Sequence, residues 1–214
     1  MSPTNNERRV LVLAKAPRPG LAKTRLAPLL GEQGAAALQA RLLKHALKTA
    51  REASLGAIEL HGTPADDDFL RYCASQYGAA LIPQTEGDLG ERMSAALGRA
   101  LDGAAYAILI GADCPALTAR HLRLAARSLE DGYDAAFAPT EDGGYALIAL
   151  RRCDPRLFEA IAWSTPAVMD ETRGRLRSLG WRWHELETLW DVDLPVDYER
   201  LAVSGLLDRT TRHA

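Results

Sequence analysis

The sequence has few of the features that mark several large classes of protein. Its three cysteines are odd in number, lie far apart and form no CxxC pair, so the pattern predicts reduced thiols rather than disulfides or a zinc site. The formal net charge is −2 and no sustained run of Lys or Arg occurs, which gives no electrostatic footprint for nucleic acid. We therefore expect small molecules as its partners.

Long hydrophobic runs are also missing. No apolar stretch of the sequence approaches the roughly 20 residues that a membrane span requires, and residues 1–9 lack the apolar core of a signal peptide. The prediction is a cytoplasmic protein with no membrane span.

The 214 residues are 47% hydrophobic and 25% charged, a composition typical of one globular domain with a full core. We predict a single domain over 1–214 with flexible ends at 1–8 and 208–214. Unbroken apolar runs at 10–14 and 106–111 are typical of central parallel strands, and GAIELHG and AALIP predict two more strands. Between them, apolar residues recur every four positions across 34–53, which predicts an amphipathic helix. The alternation predicts an α/β fold with a mostly parallel central sheet flanked by helices.

Four helix starts are predicted from capping patterns. Thr63 followed by Pro64, and Thr165 followed by Pro166, have the N-cap and first-turn proline of a helix. Asp88 has Glu91 three residues later, the spacing of a capping box, and Thr118 precedes a helical pattern.

The segments that follow the predicted strands carry most of the chemistry. In a parallel sheet, ligands bind outside the carboxyl ends of the strands. The segments there read KAPRPGLAKTRL, GADCPAL, TEDGGYALIAL and LWDVDLPVDYERL. One basic loop and two acidic points therefore converge on one edge of the sheet.

The basic loop after the first strand predicts a phosphate contact through side chains. It carries Lys15, Arg18, Lys23 and Arg25, and Arg binds phosphate oxygens in pairs. A Walker A loop is excluded because the glycine spacing differs and because prolines remove backbone N–H groups. The alternative is an ordinary basic surface loop.

The acidic points predict a site for a hard divalent cation. Asp113 follows the fourth strand, and Asp191 and Asp193 lie near the C-terminus. Mg²⁺ takes one or two protein carboxylates together with phosphate oxygens. The alternative is that these aspartates cap the helices that begin near Pro115 and Pro195.

The order of several motifs resembles that in a known family. AKAPRPGLAKTRLAPLLG, QTEGDLGERM, IGADCPALT, PTEDGGYALIAL, WSTP and DVDLPVDYERL occur as in bacterial GT-A-type transferases that are similar to phospholactate guanylyltransferase and often labelled glycosyltransferases. Some members are associated with arsenosugar biosynthesis. The resemblance covers about Arg9 to Leu207 and implies the GT-A, or nucleotide-diphosphosugar transferase, fold.

The resemblance also implies roles for individual residues. It makes Arg18, Lys23 and Arg25 the phosphate-facing residues of the basic loop. It makes Asp113 the metal-binding aspartate, with the acids of DVD on the second metal side. The segment that lies against base and ribose in related nucleotidyltransferases corresponds to Asp88, Gly90 and Arg92. The chain departs from the family pattern at Leu194–Asp197, where a hydroxyl N-cap and an acid are missing.

The motif TEDGGYALIAL has two interpretations. Gly143 and Gly144 between apolar runs are typical of a hairpin turn with solvated acids beside it. Following the family, Glu141 or Asp142 would orient or deprotonate an acceptor. For Cys114 a packed thiol is favoured over a nucleophile, because no partner base is identifiable.

Tryptophan has a similar choice of roles. Trp163 and the cluster Trp181, Trp183 and Trp190 could stack on a base or sugar, and core packing is favoured for the cluster.

Together these features predict an enzyme, a metal-dependent transferase with Mg²⁺ or Mn²⁺ that takes a nucleotide-activated donor and a small acceptor. The first hypothesis is a glycosyltransferase acting on an NDP-sugar. The alternative is a nucleotidyltransferase that joins an NMP from an NTP to a phosphorylated acceptor, and a third hypothesis is a non-catalytic nucleotide-sugar binding protein.

Overall fold

A computed structural model of the protein describes residues 7–207. Of the predicted flexible ends, 1–6 and 208–214 lie outside the described residues, whereas Arg8 is the first residue of a strand. The strands are β1 (Arg8–Lys15), β2 (Ala57–Thr63), β3 (Ala79–Pro83), β4 (Tyr106–Gly111), β5 (Ala135–Pro139), β6 (Tyr145–Leu150) and β7 (Trp183–Glu185). The α-helices are α1 (Ala27–Ala53), α2 (Asp68–Tyr77), α3 (Leu89–Leu101), α4 (Ala119–Glu130), α5 (Val168–Ser178) and α6 (Pro195–Ser204).

The strands form one sheet in the order β3-β2-β1-β4-β6-β5-β7. All neighbouring pairs are parallel except those of β6, which runs antiparallel to β4 and to β5. The predicted α/β fold with a mostly parallel sheet is confirmed. The carboxyl ends of β1, β4 and β5 meet the amino end of β6 at the same edge, so the segments after these strands lie close together.

Both faces of the sheet are buried. In β1, Val10 and Val12 contribute to a core that also contains side chains of α1, α2 and α4. Leu11 points to the opposite face, where α3 and α5 pack. Successive side chains of a strand alternate between faces, so only an unbroken apolar strand can bury both. Among residues 7–207, no helix is long and apolar enough to cross a membrane.

The capping patterns place two of the four predicted helix starts correctly. Asp88 accepts from Glu91 N–H at 2.9 Å and Glu91 accepts from Asp88 N–H at 2.8 Å, which confirms the capping box of α3. Thr118 is the N-cap of α4. The helix after Thr165 begins later than predicted, at Val168, because the Thr165 hydroxyl instead closes a turn by accepting from Ala167 N–H.

The predicted helix start at Thr63 is wrong. Thr63 is the last residue of β2, where it pairs with Lys15, and the N-cap of α2 is Asp67. The Asp67 carboxylate accepts from the N–H groups of Phe69 and Leu70. The helix is capped at Asp67 rather than at Thr63, because a carboxylate there accepts hydrogen bonds from two of the unpaired N–H groups of the first turn.

The alternative role of the acidic residues as helix caps is also wrong. The helix after Pro115 begins at Ala119 and is capped by Thr118. At α6 the N-cap is Leu194. The backbone N–H groups of Asp193 and Leu194 donate to the carboxylate of Asp197, which lies in the first turn of the helix. The side chains of Asp113, Asp191 and Asp193 therefore do not serve as helix caps.

The long helix starts earlier than predicted. The periodic pattern predicts 34–53, whereas α1 begins at Ala27 and is interrupted at Gly31, which has φ of 70°. Glycine adopts this left-handed conformation without a steric penalty, so the first turn of α1 kinks away from the rest of the helix and carries the basic loop over the sheet edge.

Candidate functional site

A cavity of about 710 Å³ lies at the carboxyl ends of β1 and β4. Most of the predicted site residues line it; these are Lys15, Lys23, Arg25, Asp88, Arg92, Asp113, Asp142, Asp191 and Asp193. The other three, Arg18, Gly90 and Glu141, are not part of its lining.

The C-terminal acidic segment reaches the cavity by backbone pairing. Leu189 N–H donates to Pro139 O at 2.8 Å, which extends the sheet past the end of β5. Three residues further on, Val192 N–H donates to Asp113 O at 3.0 Å, and Val192 itself is fully buried. Val192 packs into the core, whereas its two neighbours in the chain, Asp191 and Asp193, line the cavity together with Asp113.

Lys23 bridges the two acidic points. Its Nζ lies 2.6 Å from Asp113 Oδ1 and 2.8 Å from Asp193 Oδ1, and its side chain is only 6% exposed. Burial lowers the pKa of Lys23, but the two carboxylates outweigh burial and raise it above the ordinary value. Lys23 is therefore a fixed ammonium group, and its backbone adopts the left-handed conformation (φ 49°) that turns the side chain inward.

The cavity carries more negative charge than Lys23 neutralises. Burial, followed by the charges of Asp142, Asp193 and Asp113, raises the pKa of Asp191 to about 7. A carboxyl group that resists ionisation at neutral pH indicates crowded negative charge, which is typical of functional sites and of sites that attract a cation.

The turn between β5 and β6 separates the two predicted catalytic acids. Asp142 Oδ1 accepts from the Thr140 hydroxyl at 2.5 Å and from Gly144 N–H at 3.0 Å, and Asp142 lines the cavity. Glu141 points the other way and forms a two-pronged ion pair with Arg200 of α6. These hydrogen bonds hold the pKa of Glu141 below its ordinary value. Of the two, only Asp142 faces the cavity.

The hairpin turn predicted at the two glycines is present. Gly143 N–H donates to Thr140 O, and Thr140 N–H donates to Gly144 O. Gly143 has φ of 89°, and a Cβ there would overlap the Pro166 carbonyl, so both the backbone conformation and the close approach require glycine. The two interpretations of the motif are therefore compatible, because the hairpin turn holds Asp142 at the cavity.

The basic side of the cavity differs in one residue from the prediction. Among residues 7–207, Lys15 makes no ion pair, and the Arg92 guanidinium donates only through Nε, to Gly87 O at 2.9 Å. Arg25 lies 3.9 Å from Asp193 and its side chain is 65% exposed. Arg18 lies away from these, because Asp67 holds its Nε at 2.7 Å beside α2. Three cations line the cavity and have N–H donors that form no hydrogen bond within residues 7–207: Lys15, Arg25 and Arg92.

Gly90 is covered by Trp163. A Cβ on Gly90 would lie 2.6 Å from the indole nitrogen of Trp163, so the ring rests directly on the first turn of α3. Trp163 lines the cavity, and its buried Nε1 has no hydrogen-bond partner within 7–207. The other tryptophans, Trp181, Trp183 and Trp190, are not part of the cavity lining.

The structure does not support a nucleophilic role for Cys114. Burial raises the pKa of the Cys114 thiol to about 12, which leaves almost no thiolate at neutral pH. The three cysteines are free, as predicted. Across the described range, no group of three or more His, Cys, Asp or Glu side chains is arranged to hold a metal ion by itself.

The sequence interpretation missed Gln84. It follows β3 directly and lines the cavity, so the rule that singled out the residues after β1 and β4 also applies to it. A neutral side chain carries no charge pattern, and for that reason it did not stand out. Ser164 and Thr165 also line the cavity. The sequence predicted a helix cap at Thr165, and neither residue had a signal for a binding role beyond its place in WSTP.

A family model matches the chain over residues 42–165. Its description is an uncharacterized protein conserved in bacteria, DUF2064. The chain belongs to this family. The search of curated proteins found no match.

Solved structures of similar fold carry names from nucleotide chemistry. A proposed nucleotide-diphospho-sugar transferase from Desulfovibrio desulfuricans G20 has a TM-score of 0.85 and 29% identity, over 94% of this DUF2064 chain and 88% of that one. The 4-diphosphocytidyl-2C-methyl-D-erythritol synthase from Anaerococcus prevotii DSM 20548 has a TM-score of 0.63 and 11% identity, over 94% and 96%. A CMP:2-keto-3-deoxy-manno-octonic acid synthetase complexed with CTP has a TM-score of 0.62 and 13% identity, over 95% and 100%. The last two show the fold alone, and the predicted nucleotide-diphosphosugar transferase fold is confirmed.

Proposed function

We propose that this protein is a metal-dependent transferase that takes a nucleotide-activated donor, and that the donor is an NDP-sugar. The observation that carries the proposal is that one cavity is lined by four aspartates, its acidic side, and by cations with unused N–H donors, its basic side. The four aspartates are Asp113, Asp142, Asp191 and Asp193. Such a lining suits a diphosphate when a divalent cation joins it to the acids. The likeness to the proposed nucleotide-diphospho-sugar transferase supports the sugar donor.

The acidic side has the donor chemistry that Mg²⁺ or Mn²⁺ prefers. Its ligand atoms are carboxylate oxygens, and a site completed by substrate phosphates needs only one or two of them from the protein. Lys23 engages Oδ1 of Asp113 and Oδ1 of Asp193. This leaves Oδ2 of Asp113 for a cation, whereas Oδ2 of Asp193 also lies 3.9 Å from Arg25. A divalent cation held there would neutralise the charge of a departing diphosphate.

The chain's own residues supply orientation and charge. Lys15, Arg25 and Arg92 would bind phosphate oxygens, because each has N–H donors that the described residues leave unused. Lys23 fixes the distance between Asp113 and Asp193 before substrate arrives, so this part of the site is preorganised. Asp142 is the candidate base, since Thr140 and Gly144 hold one of its oxygens and the other is left to accept a proton from the acceptor.

Phosphorus NMR on the full chain with Mg²⁺ tests the proposal. The protein is given a panel of NDP-sugars with small acceptors and, separately, a panel of NTPs with small phosphorylated acceptors. We expect a nucleoside diphosphate to be released from one sugar donor. The rate should fall at least 100-fold in Asp113→Asn, as expected when one electrostatic contact to the transition state is lost, and stay unchanged in the exposed control Asp131→Asn.

A second candidate is nucleotidyl transfer. The fold is shared with a CTP-bound synthetase and with a diphosphocytidyl synthase, and the predicted likeness to phospholactate guanylyltransferase points the same way. Pyrophosphate released from an NTP in the presence of a phosphorylated acceptor would support this candidate and overturn the sugar donor. Nucleotide binding without any product in either panel would favour the non-catalytic hypothesis. The association of similar proteins with arsenosugars stays a prediction.

A further inference from the structure

Gln39 is a buried glutamine on α1 that lines the cavity. Only 5% of its surface is exposed, whereas glutamine is usually found on protein surfaces. Helix α1 connects the parallel strands β1 and β2, so it runs back across the sheet and its first turns lie at the carboxyl edge. Gln39 precedes the fully buried Leu43 by four residues on the same helix face. It therefore lies between helix and sheet, one turn nearer the carboxyl edge than Leu43.

The amide of Gln39 forms no hydrogen bond within residues 7–207. Every other buried polar side chain of this range forms at least one; these are Thr49, Glu59, His61, Asp67, His121, Ser128, Thr140 and Thr172. A buried amide without a partner lowers stability. Its oxygen and nitrogen each keep some accessible surface, and this surface opens into the cavity that Gln39 lines. A bound ligand can therefore supply the missing partner.

The turn of α1 that carries Gln39 lies against the acidic side of the cavity. Leu38 and Leu42 pack in one cluster with Val192. The N–H of Val192 donates to Asp113 O at 3.0 Å, and both neighbours of Val192 in the chain are aspartates of the cavity lining. Helix α3, which supplies one cation of the basic side, packs on the opposite face of the sheet. The partner of the Gln39 amide is therefore expected among groups bound at the acids.

The chemistry of the amide differs from that of the acids around it. A carboxamide is neutral and offers both donors and an acceptor, so it adds no charge to a crowded acidic site. Phosphate oxygens only accept and leave the amide oxygen without a partner. Mg²⁺ held by one or two carboxylates keeps several of its waters, and such waters donate hydrogen bonds. The amide oxygen of Gln39 suits a water of this kind.

We propose that Gln39 is a positioning residue of the acidic side, whose amide oxygen accepts a hydrogen bond from a water of the divalent cation at Asp113. This inference rests on the proposed function, because it requires a divalent cation there. It goes further by assigning to α1 a residue that sets cation affinity without touching the cation. Removal of such a partner typically weakens metal binding roughly 10- to 100-fold.

Electron paramagnetic resonance of Mn²⁺ tests the inference on the full chain without nucleotide. The signal of free Mn²⁺ gives the bound fraction, so cation affinity is measured independently of activity. Gln39→Met keeps the length of the side chain and removes the amide. We expect it to weaken Mn²⁺ binding roughly tenfold, whereas Gln33→Met, at an exposed position of α1 outside this cavity, leaves the affinity unchanged. Asp113→Asn locates the site, because it should abolish this binding.

Thermal unfolding in EDTA separates a positioning role from a structural one. Gln39→Met replaces an unpaired buried amide by an apolar group, so we expect its Tm in EDTA to equal or exceed that of the wild type. If Gln39→Met does not fold, Gln39→Asn keeps the amide and shortens the side chain by one methylene. The same roughly tenfold weakening of Mn²⁺ binding is expected for it.

The outcomes separate this inference from the proposed function. Unchanged Mn²⁺ affinity in the Gln39 variants would overturn the role of Gln39 alone. So would weaker Mn²⁺ binding accompanied by a lower Tm in EDTA, because the glutamine would then support the fold. If the wild type binds Mn²⁺ only when UDP or GDP is added, the variants are compared in that nucleotide. A wild type that binds no Mn²⁺ in either condition, or Asp113→Asn with full affinity, would overturn the proposed metal dependence, and the inference with it.

Discussion

Asp191 is the side chain whose ionisation the fold opposes most clearly at the site. Burial and three neighbouring aspartates raise its pKa to about 7, against 3.8 for a free side chain. Lys23 relieves Asp113 and Asp193 by direct contact, and Asp191 has no comparable partner among the described residues. The crowding of negative charge at the cavity therefore shows itself as the raised pKa of Asp191.

The raised pKa predicts how stability changes with pH in the absence of metal. A carboxyl group with a higher pKa in the folded state stabilises the fold at low pH, and this contribution is lost as pH rises from about 4 to about 7. Asp191→Asn cannot ionise, so at pH 8 we expect it to be more stable than the wild type by on the order of 1–2 kcal/mol, or roughly 2–8 °C in Tm. Thermal unfolding in EDTA measures the difference.

The control for Asp191→Asn is Asp131→Asn, which changes an exposed aspartate at the end of α4. The advantage of Asp191→Asn should shrink toward pH 4 and that of the control should be small throughout. A difference between Asp191→Asn and wild type that does not vary with pH would show that burial of the group, rather than its charge, sets the effect.

The start of helix α2 depends on Asp67, whereas the sequence pattern predicted a start at Thr63 and Pro64. Asp67 caps its N-terminus and also holds Arg18 at 2.7 Å. The Asp67 carboxylate thus caps the helix and also holds the Arg18 guanidinium outside the cavity lining.

Replacing Asp67 by Ala should destabilise the protein by about 1–2 kcal/mol, mainly through the lost cap, because the pair with the half-exposed Arg18 is worth little. The neighbouring Asp66→Ala, at an exposed position, should change the free energy of unfolding by less than about 0.5 kcal/mol. Urea denaturation of both variants gives the comparison, and equal effects would contradict the capping role.

Helix α3 contains two glycines in different surroundings. Gly90 lies under the Trp163 ring, whereas an added Cβ at Gly98 meets nothing within 4 Å. Small residues permit close approach, and glycine inside a helix otherwise lowers its stability. The two positions should respond to alanine in opposite directions.

Gly90→Ala should cost about 1–3 kcal/mol, because the indole of Trp163 has to move away from the helix. Gly98→Ala should raise stability by about 0.5–1 kcal/mol. Thermal unfolding, with tryptophan fluorescence to detect displacement of the ring, measures both. A Gly90→Ala protein as stable as wild type would mean that Trp163 does not rest on α3 in solution.

The cavity joins distant parts of the chain into one unit. Its lining runs from Leu13 to Asp193, and the Lys23 to Asp193 contact spans 170 positions. Because β6 inserts between β4 and β5, the later part of the chain completes the same sheet as the first part. We therefore expect a ligand bound at this edge to stabilise the early and late parts of the chain together.

Mg²⁺ together with the preferred nucleotide should raise the Tm of the wild type in one cooperative transition. At a ligand concentration of 100 times Kd, the gain is about 2.7 kcal/mol, or roughly 5–11 °C. Differential scanning calorimetry measures it, with the nucleotide in EDTA as the reference for the metal. Two separate transitions, of which the ligand moves only one, would contradict a single cooperative domain.

The sequence by itself determined most of the strands and helices, and the edge of the sheet at which the candidate site lies. The periodicity of β1 and α1 is local information, since apolar side chains recur at the spacing of a strand or a helix. The capping box of Asp88 and Glu91 is equally local. From these elements, the parallel sheet follows, and with it the expectation that Lys15 and Asp113 lie at one edge.

Only the tertiary structure decided which charged side chains face the cavity. Arg18 and Glu141 sit in the right segments, yet each is drawn aside by a partner from a distant element, Asp67 in one case and Arg200 in the other. Lys23 is placed between acids that the sequence keeps far apart. The physical reason is that an ion pair depends on distances of a few ångströms between residues remote along the chain, which no local pattern encodes.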